Sequence, residues 1–456
     1  DHRDGPRVRS PDRESDPVSS GLGSEHLPEP TVGALVEEVQ VELTGGRPDE
    51  ATAGHPPRLG SAGVRVLMLS WELPPAHTGG TAAHVDGLAH ALAAEGHEVV
   101  LVSRRTDGTP AITTAGGITV LRADVDLPWV PDHPIGRTAS ANHALVETAL
   151  SGVDPDWRPD VVHAHDWTVA WASATLAAAH GAPLVTTFHR TERSRHSGHV
   201  PAGVPEEING VEWWLAARSR QVITITRLLA RQVSADFEID PDLVAPIPGG
   251  IDPTWWAATD GDEGVVNTTA SSGPDSPLVF TWGRVQYEKG FQVLANAMAM
   301  VRAEIPGVRC VIAGRGTYLA ELQSQIDVAG LSDIIELAGF LGDNALRATL
   351  HRADCVVIPS LYEPFGVITL EALAGGAALV AAETGGLAEL VVGTGSALTF
   401  EPGRAEDMAA RILEVLTDHE LAAGLRDAAR DLVEGSYSWQ AIARRTLEVY
   451  RRALPS

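Results

Sequence analysis

Two glutamates, Glu363 and Glu371, bracket the stretch Pro-Phe-Gly-Val-Ile-Thr-Leu. Pro364 and Gly366 are helix-start residues, which puts Glu363 on a loop and Glu371 about two turns into a helix. The first backbone N–H groups of that helix, around Phe365, Gly366 and Val367, have no partner within it and make a site for phosphate oxygens. Carboxylates on either side of a phosphate site suit gripping hydroxyls, one those of a sugar and the other those of a ribose. Acids beside a phosphate also need a cation. The segment GRVQYEKG (283–290) offers Arg284 and Lys289, five residues apart around a turn, and both suit a leaving diphosphate. Lys289 is the sole lysine of the chain, every other long cation being arginine. A compact ammonium is a point charge that guanidinium does not imitate. A helix cap beside a surface ion pair would explain these parts singly, but not their occurrence together.

A second group is rich in histidine. His163 and His165 alternate at the end of an apolar run and share a face, with Asp166 next to them. A metal pair is one reading. No Asp-x-Asp motif in a suitable loop supports a metal-bridged diphosphate, however, and Arg284 with Lys289 already neutralise one, so no metal is expected. Asp124-Val-Asp126 reads as a solvated loop. His189, Glu192, His196 and Glu212 form a further polar group, either loop polars and a helix face or part of a binding surface. Trp213-Trp214 and Trp255-Trp256 either stack on sugar rings or, the reading favoured here, pack inside. Cys310 and Cys355 lie in apolar runs and read as buried small hydrophobes.

Alternating strands and helices must position these residues. VRVLMLS (64–70), a glycine loop, a helix from about Thr81 to Gly96 and HEVVLVS (97–103) make a βαβ unit. DVVHA (160–164), PLVTTFH (183–189) and QVITIT (221–226) continue the first half, which ends at PIPGGID (246–252). An Asp/Gly/Ser/Thr loop then runs to about Pro277. The second half repeats the pattern with PLVFTWG (277–283), RCVIAG (309–314), IIELAGF (334–340), DCVVIPS (354–360) and ALVAAE (378–383). The special residues follow strands directly: Gly79 and Gly80 in WELPPAHTGG, HDW after VVHA, GRVQYEKG, GRG with Gly314, LYEPFG, and TGG. Ligands bind outside the carboxyl ends of parallel strands. The expected fold is therefore α/β, with two doubly wound, Rossmann-like domains facing across a cleft. Residues 1–60 read as a mostly disordered tail, 64–248 as the first domain and 249–435 as the second. Within 436–456, a helix carrying Trp439, Ile442, Val449 and Tyr450 at helical spacing packs back on the first domain.

With 44% hydrophobic residues the chain is globular for most of its length, and 456 residues call for two domains. No apolar run is long enough to cross a membrane, and residues 1–30 lack the apolar core of a secretory signal. The formal charge of −26 argues against nucleic acid and against stable association with anionic membranes. Two cysteines in apolar runs fit a reducing cytoplasm.

On these motifs the chain resembles the retaining GT-B glycosyltransferases, the large bacterial family of mannosyl- and glucosyltransferases that borders glycogen synthase. The resemblance spans roughly residues 64–452. It rests on Gly79-Gly80, HAHDW (163–167), GRVQYEKG and the Glu363…Glu371 pair. WRPDVVHAHDW and TGGLAE (384–389) look like glycogen synthase. His77-Thr78-Gly79-Gly80 followed by His84 instead fits the broader family. SWELPP, RTERSRHSGH (190–199) and VEWWL (211–215) look like actinobacterial α-1,4-glucosyltransferases. The resemblance implies a nucleotide diphosphate sugar as donor, a soluble sugar or α-glucan as acceptor, and no cofactor. It gives the diphosphate to Arg284 and Lys289, the donor-sugar hydroxyls to Glu363 and the ribose to Glu371, and it counts Gly79, Gly80 and Gly314 among the donor-binding residues. It also puts His165 against the donor sugar, with His163 behind it, although the strand pattern leaves their order open. His84, His163, His189 and Glu212 fall on the acceptor side. Rival readings are a sugar-nucleotide epimerase, a transferase of mannose or another hexose to a small or lipid acceptor, and a non-catalytic carbohydrate-binding scaffold. A pyridoxal-phosphate phosphorylase is excluded, because Lys289 is spent on the diphosphate and no other lysine remains.

Overall fold

Apolar runs of four to seven residues, flanked by glycine and polar loops, are buried on both faces and make two separate parallel sheets. A computed structural model describes residues 63–75, 79–125, 133–196, 198–257 and 276–455. The expected tail (1–60), His77, Thr78, Asp126 and most of the loop before Pro277 lie outside the described residues.

The first sheet has eight strands: β1 (Arg65–Ser70), β2 (Glu98–Arg104), β3 (Ile112–Ala115), β4 (Ile118–Ala123), β5 (Val161–His165), β6 (Leu184–Phe188), β7 (Gln221–Thr224) and β8 (Val244–Pro246). Their order is β3-β4-β2-β1-β5-β6-β7-β8, all parallel except the β3/β4 pair. The second sheet holds β9 (Leu278–Trp282), β10 (Arg309–Ala313), β11 (Ile335–Gly339), β12 (Cys355–Ile358), β13 (Leu379–Ala382) and β14 (Ala397–Phe400), ordered β11-β10-β9-β12-β13-β14. β3, β4, β8 and β14 were not foreseen. They are short edge or near-edge strands whose mixed burial lacks the continuous apolar signature.

Each sheet reverses its winding once, between β1 and β5 in the first and between β9 and β12 in the second. Crevices open at such switch points, beyond the carboxyl ends of the strands. The loop after β1 leads to Gly79-Gly80, the end of β5 and its loop carry His165-Asp166, and the loops after β9 and β12 carry Arg284–Lys289 and Glu363–Gly366.

Helix Trp439–Ala453 buries Ile442, Leu447, Val449 and Tyr450 in one core with Val66 and Met68 of β1 and with Val85, Leu88 and Leu92 of helix Gly80–Ala94. The chain thus crosses between the sheets twice. The two crossings lie side by side through an Ile251–Ser438 bridge and an Ile251 N–H donated to Tyr437 O at 2.8 Å. The Trp439 ring wedges between two glycines there. A Cβ on Gly87 would come within 2.2 Å of it and one on Gly250 within 2.5 Å, so neither position accepts a side chain.

Candidate active site

The second sheet supplies the charged half of the site. Gly290 closes the loop after β9 in the left-handed region (φ 72°), and a Cβ there would lie 1.9 Å from Pro359 O. Glycine lets this loop lie directly on the one after β12, where Leu361 N donates to Glu288 O at 2.8 Å. Lys289 is thereby delivered to Glu363, Nζ to Oε2 at 2.5 Å, with only 13% and 10% of the two side chains exposed. Pairing offsets the cost of holding either charge out of water. Arg284 is exposed at its β9 end and lines a cavity of about 310 Å³ with Trp282, Gly314, Arg315, Phe340 and Leu346. The two cations expected on one diphosphate therefore have different neighbours.

Helix Val367–Ala374 follows, with Gly366 (φ 88°) as an N-cap that contributes no side-chain bond. Its first N–H groups keep their capacity to bind an anion, and Val367 there is 45% exposed. Glu371 is the fifth residue of this helix, nearer its start than the two turns expected. It accepts a bond from Trp282 Nε1 at 3.0 Å, and burial raises the carboxyl's pKa. Gly314 sits against the preceding loop, where a Cβ would meet Gly283 O at 1.8 Å, so packing by itself demands glycine.

The first sheet supplies a neutral half. His163 and His165 lie on β5, both buried. His163 is engaged at both nitrogens, Nδ1 with Tyr450 Oη and Nε2 with Thr187 Oγ1, each at 2.7 Å. His165 Nδ1 meets His189 Nε2 at 3.1 Å, while its Nε2 is buried without a partner. His163 therefore stands behind, and His165 has a nitrogen left to offer. Burial pushes His163 and His189 down to about 3, and His84 and His165 well below the usual imidazole range. These rings are neutral near pH 7, each with one donor and one acceptor nitrogen, and a nitrogen left free, as His165 Nε2 is, suits a hydroxyl. Asp166 holds a positive φ (61°) and accepts His189 N at 2.8 Å, and burial raises its carboxyl to about 6.

The nitrogens of His84, His165 and His189 lie within 4.8 Å of one another. An all-imidazole set suits a transition ion and not Mg²⁺, and binding would replace the His165–His189 bond. Gly79 caps helix Gly80–Ala94, and a Cβ on Gly80 would meet nothing within 4 Å, so packing does not demand glycine at Gly80. The two halves meet at Gly249. A Cβ there would be 3.2 Å from Phe365 Cε1 and 3.6 Å from His84 Nδ1.

Other sequence candidates lie deeper or elsewhere. Glu212 is 1% exposed, and both its oxygens accept Glu192 N, at 3.0 and 2.9 Å, so its reach is spent inside the fold. Glu192 in turn pairs with His196 at 3.1 Å. Trp256 is buried, but Trp213 and Trp255 are 46% and 40% exposed, against the packing expected of both pairs. Asp124 is an exposed partner of Arg105. Both cysteines are free and buried, with Cys310 raised to about 12 by burial. Sequence reasoning passed over Thr187 and Tyr450 as partners of His163. Tyr450 lies 287 residues away, and nothing local marks it.

Two parallel sheets with glycine loops at both switch points have the architecture expected of the GT-B fold. The descriptions "Glycosyl transferases group 1" and "Glycosyltransferase Family 4" match residues 269–432 and 78–255. A protein named glycogen synthase from Mycobacterium tuberculosis is 35% identical over 402 residues, covering 86% of this chain and 95% of that one. The chain belongs to the glycosyl transferase group 1 family. Among solved structures, a sucrose-phosphate synthase from Thermosynechococcus elongatus superposes with a TM-score of 0.66 at 22% identity, covering 85% of this chain and 98% of its own. The catalytic domain of starch synthase IV from Arabidopsis thaliana, bound to ADP and acarbose, gives 0.64 at 19% identity, covering 86% and 100%. Among the described residues no helix is long and apolar enough to cross a membrane.

Proposed function

We propose that this hexosyltransferase moves glucose, with retention, from a nucleoside diphosphate sugar to a soluble sugar or α-glucan in the cytoplasm, without a metal. The carrying observation is the Lys289–Glu363 pair at one switch point, opposite neutral imidazoles at the other. Residues 249–435 bind the donor and 64–248 the acceptor. The diphosphate lies along the first turn of helix Val367–Ala374, with Arg284 and Lys289 as its cations. Glu363 takes sugar hydroxyls and Glu371 the ribose. His165 Nε2 faces the donor sugar, His84 and His189 flank the acceptor, and His163 and Glu212 support them from behind. In the transfer step the acceptor oxygen bonds to C1 as the C1–O bond to phosphate breaks on the same face. The hydroxyl proton passes to the departing phosphate oxygen, and the cations stabilise the charge that develops there.

A thermal-shift panel of ADP, UDP and GDP tests the donor half. A ligand at 100 times its dissociation constant adds roughly 2.7 kcal/mol. A shift with at least one of the three is expected, followed by an α-linked product with that base's glucose donor. No shift with any, or an inverted product, would overturn the reading.

A further inference from the structure

The end of the TGGLAE segment has no part in the site described above. Its Glu389, on helix Gly385–Val391, sends its carboxylate across to the first domain and forms no ion pair among the described residues. Oε2 accepts Arg227 N and Oε1 accepts Leu228 N, each at 2.7 Å. Those are the first two residues of helix Arg227–Asp236, whose opening N–H groups have no partner within the helix. The helix's own cap, Thr226, takes Leu229 N on its hydroxyl at 3.0 Å and Ala230 N on its carbonyl at 3.0 Å. The first turn is thus satisfied half by its own domain and half by the other.

The opposite end of helix Gly385–Val391 is fixed to the donor loop. Gly386 N donates to Glu363 O at 3.0 Å, and a Cβ on Gly386 would fall 2.2 Å from Pro364 O. Thr384 Oγ1 donates to Leu361 O at 3.1 Å. One seven-residue helix therefore touches the loop carrying Glu363 at one end and the acceptor-side domain at the other. We propose that Glu389 is a positioning residue for glycosyl transfer: by gripping the start of helix Arg227–Asp236, it sets the Glu363–Phe365 loop against the histidine cluster. The inference rests on the transferase reading. Glu389 is solvent-exposed, and a carboxylate at a helix start also meets the positive end of the helix dipole.

The test compares the full-length parent with Glu389→Ala and Glu389→Asp. Amide exchange at Arg227 and Leu228 reads the contact directly, because no helical bond protects those two groups. With saturating ADP or UDP, Glu389→Ala should speed exchange at both by about tenfold. It should lower kcat by about tenfold while the nucleoside diphosphate Kd stays within about twofold, since the proposed diphosphate ligands all lie in the second domain. Glu389→Asp, with a shorter reach to the same N–H groups, should recover part of kcat. Unchanged exchange, or faster exchange with the parent's kcat, would sink the proposal. So would a loss of diphosphate affinity matching the loss of kcat. An inactive parent would instead sink the transferase reading, and the exchange data would still decide whether the contact exists.

Discussion

The two switch points solve opposite problems. At the second sheet, a lysine–glutamate pair, an arginine and an uncapped helix start gather charged and polar groups where the diphosphate is proposed to lie. At the first, buried imidazoles are held neutral and bonded to one another, to Thr187 and to Tyr450. Fixed charge suits a leaving group that gains charge during reaction, whereas neutral donors and acceptors suit hydroxyls that must stay exchangeable. In a chain at −26, the proposed anionic donor calls for local cations, and Arg284 and Lys289 are the ones proposed to supply them.

The largest test of that division is Lys289→Ala, which removes the ammonium and strands the Glu363 carboxylate. Turnover, followed as release of nucleoside diphosphate, should fall by about two to three orders of magnitude. A variant within about threefold of the parent would mean that Arg284 suffices. On the neutral side, His165→Ala should lower kcat by about ten- to a hundredfold and leave diphosphate affinity unchanged, as calorimetry would show. Equal losses of affinity in both variants would erase the distinction.

A smaller effect sharpens the contrast through pH. Burial raises Glu212 from 4.5 to about 8, so the fold holds this proton more tightly than the unfolded chain does. Its contribution is complete below about pH 4.5 and is lost as pH rises through about 8. The histidines act in the other sense. With His163 and His189 lowered from 6.5 to about 3, stability present above pH 6.5 is lost as pH falls toward 3. Between about pH 5 and about pH 8, the melting temperature of Glu212→Gln should fall less than the parent's, by several degrees. Parallel curves would show that Glu212 ionises freely. The smallest expected effect is that of EDTA, which should leave activity within about twofold, because the charged half carries its own cations. A complete loss restored by Mg²⁺ would break the assignment.

The charged half was the more legible in sequence, and the reason is physical. Its parts follow strands β9 and β12 within a few residues, and glycine and proline mark the turns. Even there, the Lys289–Glu363 bond spans 74 residues, so the motif revealed the participants but not which would pair. In the first half β5 placed both imidazoles on one face. Their order depended on Tyr450, on a helix that pattern alone placed near the first domain without showing what its hydroxyl would touch. The strands missed lie at or next to a sheet edge, where incomplete burial weakens the apolar run.

The packing of helix Trp439–Ala453 also bears on how the protein is made. Val66, Leu88 and Val161 share a core with Ile442 and Tyr450, so this face of the first sheet, covered in part by helix Gly80–Ala94, is completed only when helix Trp439–Ala453 has been synthesised. The second sheet, whose strands run from Leu278 to Phe400, has all of them available sooner and can complete its core without waiting for Tyr450. The first sheet precedes the second in the chain, yet one piece of its core, helix Trp439–Ala453, follows the second. A nascent chain arrested just before Ser438 would leave part of that apolar face exposed, a liability of the kind that chaperones cover.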